Sequence, residues 1–253
     1  MTDNITIALR RGDKSNVSES SRNFFELIEI PKKNHIFWNK KISISFEVLL
    51  IKNQIFKLMN FDKQYFEQVK NQIKNLLPNV LIEKVEDPLL SVDKLEIVEY
   101  KFDREGYYPI LNYQNFSQDD PLTNKYDEIL KIQGDSDLTL IQVIISETNS
   151  NWQEKTINLL DKDNNYSKDK NIIFDKISYP SFKTNIKALS TSAKNIYLLN
   201  SLFDVLEKNN SNKIIPTEKG MFQIDVVQKA EDRVKNKSNI ILNSKELATI
   251  WNI

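Results

Sequence analysis

Apolar and polar positions alternate most clearly over residues 42–51, where Ile42, Ile44, Phe46, Val48 and Leu50 interleave with Ser43, Ser45 and Glu47. A period of two puts the apolar set on one face of a strand. Lys52-Asn53 then supplies a tight turn, and Gln54–Met59 returns as a second strand. The spacing changes to three and four at Phe66, Val69, Ile73 and Leu76, which predicts a helix with one buried stripe. Asp62 is the expected N-cap of that helix, and Phe61 and Phe66 occupy the two positions of a hydrophobic staple. Pro78 ends it by disfavouring helical geometry at Leu77. Val80–Glu86 is the next strand.

The alternation of strand and helix recurs downstream. Lys94–Phe102 reads as a strand. Asp120-Pro121 reads as an N-cap followed by proline at the first helical position, and Leu122, Tyr126, Ile129 and Ile132 stripe the helix up to Gly134. Leu138–Ser146 is apolar on both faces, which predicts a central strand. Residues 147–171 look irregular apart from a short helix around Trp152–Leu160. Phe182–Ser190 is a further strand. Ala193–Lys208 is the strongest helix pattern in the chain, with Ile196, Leu199, Leu202, Phe203 and Leu206 on one side. The tail predicts a helix near Phe222–Lys235, a strand at Ile240–Leu242, and a helix start at Asn243 with Glu246 three residues later. Residues 1–30 read as a flexible leader with a short strand at Ile5–Leu9. The remainder divides into a first α+β unit over 31–148, a second βα unit over 149–212 and an extension over 213–253.

This order predicts an α+β fold: a mixed, mostly antiparallel sheet with helices packed on one face, built from ferredoxin-like βαβ units. The bulk numbers narrow the function classes. Lys plus Arg and Asp plus Glu are equal at 35 each, so the basic excess of a dedicated nucleic-acid binder is missing. There are no cysteines, which excludes disulfides, thiolate zinc sites and cysteine nucleophiles. No stretch approaches the roughly 20 apolar residues that span a bilayer, and the polar N-terminus carries no export signal. The chain therefore reads as cytoplasmic.

Catalytic patterns are sought and not found. The four glycines, at positions 12, 106, 134 and 220, lie too far apart for a phosphate-cradling loop or a dinucleotide fingerprint. His35 is the only histidine and has no serine elbow to serve. Asp161-x-Asp163-x-Asn165 opens like a calcium loop, but Tyr166 stands where glycine is needed and Ile172 where glutamate is needed. Asp119, Asp120 and Glu128, and Glu83 with Glu86 and Asp87, are the carboxylate groupings that could gather magnesium; a helix cap and a strand exit explain them more simply. Tyr107, Tyr108 and Tyr113 near Lys101 and Arg104 form a candidate binding loop. Lys229, Arg233, Lys235 and Lys237 are the densest late basic stretch and the candidate nucleic-acid contact. No cofactor, metal or catalytic residue is expected, and the chain is read as a non-enzyme.

Three stretches taken together carry a resemblance. Ile44-Ser-Phe-Glu47-Val leads through a hairpin and helix to Val69–Asp87; Asp120-Pro121-Leu122 precedes a helix, Leu140-Ile-Gln142-Val-Ile-Ile and Trp152; and Ile241-Leu-Asn243-Ser-Lys-Glu246-Leu-Ala-Thr249-Ile-Trp251 comes last. Over roughly residues 35–253 this order is similar to the domain preceding the motor in TraG/TraD-like conjugative DNA-transfer ATPases of type IV secretion, particularly those of candidate-phyla bacteria. The Walker motifs of that family are missing from this sequence, so its ATPase activity carries over to no residue here. The resemblance implies a non-catalytic accessory or adaptor domain that docks to a P-loop motor ATPase, or to the same domain in neighbouring subunits of a homo-oligomer. It implies weak or indirect contact with DNA, and a place at the inner face of the membrane only through a partner, with no insertion. Asn243, Glu246, Thr249 and Trp251 would lie at the motor-facing end as partner-binding residues. The simpler reading of Asn243 and Glu246 is a capped helix start. The alternative function is a protein- or single-stranded nucleic-acid-binding module unrelated to secretion.

Overall fold

The computed structural model describes residues 3–12, 17–31, 43–90, 92, 94–117, 121–148, 151–162, 169–208, 210–217, 233 and 238–253. Its elements run β1 (Asn4–Arg11), α1 (Val17–Leu27), β2 (Ile44–Ile51), β3 (Gln54–Asp62), α2 (Phe66–Leu76), β4 (Val80–Val85), β5 (Glu96–Phe102), α3 (Thr123–Ile132), β6 (Leu138–Glu147), α4 (Trp152–Lys162), α5 (Lys170–Ile177), β7 (Ser181–Ser190), α6 (Ile196–Asn200), β8 (Ile214–Pro216), β9 (Ile241–Asn243) and α7 (Ser244–Ile250). The strands form one open nine-stranded sheet in the order β4-β1-β3-β2-β6-β7-β5-β8, with β9 paired to β7. Every described pairing is antiparallel. The fold is thus α+β with an antiparallel sheet, as the alternating pattern predicts.

Strand order explains how the chain moves. In the first half, α1 carries the chain from β1 over β3 to β2, and α2 carries it from β3 over β1 to β4. Each crossover leaves one antiparallel strand between the two it joins. The second half continues as β6-β7-β5-β8 and does not repeat the first arrangement. β2 pairs along its whole length with β6, and the sheet crosses both the 148/149 and the 212/213 boundaries placed on sequence grounds.

The period-two pattern holds in the register. Ile44, Phe46, Val48 and Leu50 of β2, Met59 and Phe61 of β3, Val143 and Ile145 of β6, and Ile186 and Ala188 of β7 share one face and one core. Phe24 and Phe25 of α1, Val69 and Ile73 of α2, Tyr126 and Ile129 of α3, Leu199 of α6 and Leu247 and Ile250 of α7 cover that face. A smaller cluster of Ala8, Leu49, Leu58, Leu89, Leu138, Leu140 and Leu189 lies on the other face. β6 is buried at nine of its ten positions, which fits its reading as a central strand.

Several elements differ from expectation for identifiable reasons. The strand expected at Ile5–Leu9 is present as β1, seated between β3 and β4, but the expected leader also contains α1, whose Phe24 and Phe25 are fully buried. Its many serines mask the apolar pair: Ser18 and Ser21 are themselves buried against the core. Ala193–Lys208 is not one helix. It runs as a 3₁₀ turn at Ala193–Asn195, α6, and a second 3₁₀ turn at Asp204–Leu206. The Tyr100 hydroxyl donates to Leu199 O at 2.7 Å, and Leu202 N bonds to Leu199 O at 3.1 Å. That carbonyl is thereby drawn into a tighter turn than an α-helix allows. The helix predicted to begin at Pro121 starts at Thr123, and Asp120 lies outside the described residues. The helix predicted at 222–235 also lies outside them, apart from Arg233. α5 falls where no element is expected. Among the described residues no helix is long and apolar enough to cross a membrane.

Candidate functional site

Asn243 follows β9 in extended geometry and opens α7 with both halves of a capping box. Its side chain accepts from Glu246 N at 2.9 Å, and its own N–H donates to Glu246 Oε2 at 2.9 Å. The cap is the reading that the sequence spacing supports most simply. The structure adds that the whole of α7 is buried. Glu246 is 1% exposed, and its second oxygen accepts from Ile110 N at 2.9 Å. Lys176 of α5, fully buried, places its ammonium 3.1 Å from Glu246 and donates to Tyr108 O at 3.0 Å. Asn243 Nδ2 closes the ring by donating to Lys176 O at 3.1 Å. Burial pushes the Glu246 carboxyl above its ordinary range against the opposing pull of Lys176. It pushes the Lys176 ammonium below its ordinary range against the opposing pull of Glu246.

Thr249 and Trp251 complete the element from inside. Thr249 Oγ1 accepts from Tyr113 N at 2.8 Å and donates to Lys245 O at 2.8 Å. Trp251 is fully buried, lies edge-on to Phe46 with centroids 4.9 Å apart and to Phe25 at 6.0 Å, and donates its indole N–H to Glu47 O at 3.0 Å. Asn243, Glu246, Thr249 and Trp251 are therefore brought together, but as interior groups with intramolecular partners. In this fold all four side chains are buried.

The basic stretch behaves similarly at its one described position. Arg233 is 4% exposed. Its Nε donates to Glu47 Oε1 at 2.9 Å and its Nη2 to Glu47 Oε2 at 3.3 Å; Nη1 and Nη2 donate to the two Asp87 oxygens at 2.6 and 2.8 Å. Both carboxylates raise the guanidinium pKa beyond its already high value, overcoming the opposing effect of burial. This side chain is engaged inside the protein by Glu47 and Asp87. Lys229, Lys235 and Lys237 lie outside the described residues, as do His35, Asp119, Asp163 and Asn165.

Glu47 belongs to a polar rung that the sequence pattern does not announce. On the second face of the sheet, register places Glu47 opposite Gln142, Gln142 opposite Lys187, and Lys187 opposite Glu99, across β2, β6, β7 and β5. Glu47, Gln142 and Lys187 are all fully buried. Gln142 Nε2 donates to Glu47 Oε1 at 3.3 Å, as does Ser45 Oγ at 2.8 Å, and Lys187 lies 3.9 Å from Glu99. The only sequence signal is the run of polar residues at the alternate positions of β2 and β7, which reads equally well as a solvated face. The tyrosine loop also turns inward: Tyr108 is buried with the Arg104 guanidinium 3.4 Å from its ring centre, and the Tyr113 hydroxyl donates to Glu19 at 2.7 Å.

Among the described residues no three His, Asp or Glu side chains gather as a metal site would require. The buried charges instead lie against groups of opposite sign, Lys176 against Glu246 and Arg233 against both Glu47 and Asp87, the arrangement that keeps ionised groups tolerable away from water. Compared with known proteins, the chain matches no family profile and no curated sequence.

Proposed function

We propose that this chain is a non-catalytic accessory or adaptor domain of a conjugative, type IV secretion-like DNA-transfer system, acting through protein contacts with a P-loop motor ATPase. The observation that supports the reading is the meeting of its three sequence stretches in one place. β2, from the first stretch, pairs along its length with β6, from the second; Trp251, from the third, packs on Phe46 and bonds to Glu47 O. The three stretches that carry the resemblance thus contribute to one common core. The residues carrying the pattern hold the scaffold, so docking to the motor falls to the outer surface and not to Asn243, Glu246, Thr249 or Trp251 themselves.

The test is affinity capture of the tagged full-length chain from cells that carry its gene, read by mass spectrometry. Specific recovery of a Walker-containing ATPase, absent from a parallel capture with an unrelated tagged protein, is the expected result. Recovery of a folded chain with no motor or secretion component overturns the adaptor reading.

A further inference from the structure

Arg233 combines a left-handed backbone with a fully engaged side chain. Its backbone sits at φ 50, the left-handed region that a side-chain-bearing residue enters at a cost of about 1 kcal/mol. Its side chain makes four hydrogen bonds to two carboxylates, one fully buried and one mostly so. The carboxylates come from 146 and 186 residues earlier in the chain. Each is fixed by groups other than the arginine. Glu47 Oε1 accepts from Ser45 Oγ and Gln142 Nε2, and Asp87 Oδ1 accepts from Leu89 N at 3.0 Å in the turn that follows β4. Two carboxylates so held present paired acceptors in the fork geometry that a guanidinium fits and an ammonium does not.

We infer that Glu47 and Asp87 form a preformed guanidinium socket, which the Arg233 side chain fills. The side chain is separable from the socket: with it gone, Ser45, Gln142 and the 87–89 turn still hold the two carboxylates. The emptied socket accordingly takes a small guanidinium from solution. This inference concerns the isolated protein and stands apart from the adaptor reading, so either can fail alone.

The experiment is thermal unfolding of the full chain and of Arg233→Ala, each titrated with ethylguanidinium chloride and, at matched ionic strength, ethylammonium chloride, all well below denaturing concentrations. The expected result is a lowered midpoint for Arg233→Ala that ethylguanidinium restores in a saturable manner. Ethylammonium restores little, the wild-type protein shows no rise, and adding Glu47→Gln to the variant abolishes the restoration. Equal responses of wild type and variant to the two cations overturn the socket. Should Arg233→Ala fail to fold at any ethylguanidinium concentration, Arg233→Lys decides. A lysine keeps the charge without the fork, so a midpoint well below wild type supports the socket and a wild-type midpoint contradicts it.

Discussion

Lys176 and Glu246 share one site with no water-facing edge, at 0% and 1% side-chain exposure. Removing one partner strands the other charge in the interior, at a cost of about 3–5 kcal/mol; removing both with residues of similar shape costs far less. Lys176→Met and Glu246→Gln are each expected to lower the denaturant midpoint steeply. The double variant should fall well short of the sum of the two, and additive losses would show that the pair is not coupled. Tyr100 and Tyr113 give a pH prediction. Burial pushes both phenols above the ordinary value of 10.0, with Asp204 adding to the effect at Tyr100 and the Glu19 hydrogen bond adding at Tyr113. An acid whose folded pKa is raised holds its proton where the unfolded chain has lost it. Its contribution is therefore complete below pH 10 and declines as pH climbs beyond that toward the folded value. Stability is expected to fall on the alkaline side from about pH 10, and ultraviolet titration should show a late-ionising component that Tyr100→Phe and Tyr113→Phe reduce. A full tyrosine complement ionising together near pH 10 in the folded protein would contradict it.

At the level of elements, the β2–β3 hairpin turns through Lys52 at φ 49 and Asn53 at φ 58. Two successive left-handed residues are the two-residue turn whose twist matches paired strands, and glycine or asparagine suits it better than lysine. Lys52→Gly is expected to stabilise the protein by roughly 0.5–1 kcal/mol in chemical unfolding, and a loss of that size would mean that the lysine side chain is held by contacts that outweigh the backbone cost. This hairpin, the Phe66–Leu76 helix, β6 and the Asn243–Glu246 capping box were all legible in the sequence, because each is set by neighbours within a few positions. Elements whose shape is imposed from far away were not. α1 hides two core phenylalanines among serines, and the 193–206 segment tightens because Tyr100, about a hundred residues away, takes one of its carbonyls. The polar rung was illegible for a related reason. Alternation tells which residues share a face, but not whether that face meets water, and here Glu47 meets Gln142 and Arg233 while Lys187 lies against Glu99.

Across the molecule, one sheet binds early and late chain into a common core, and Trp251 is where the last element is fastened to the first half. Trp251→Ala removes a fully buried ring lying against Phe25 and Phe46 and leaves Glu47 O without its indole donor, at an expected cost of about 3–5 kcal/mol in chemical unfolding. A loss within about 0.5 kcal/mol, as at ordinary surface positions, would place that ring outside the core. The pattern-bearing stretch Asn243–Trp251 is thus an internal support, and the surface that serves the proposed adaptor role lies elsewhere. Native-state hydrogen exchange of the isolated full chain tests this most directly. The amides of Glu246 and Trp251, which donate to Asn243 Oδ1 at 2.9 Å and Leu247 O at 2.8 Å, are expected to exchange with the slowest group, alongside the β2–β6 ladder. Exchange of those amides at the rate of surface turns, while the β2–β6 ladder stays protected, would show that the stretch is an exposed, partner-facing end and would contradict the interior role assigned to it.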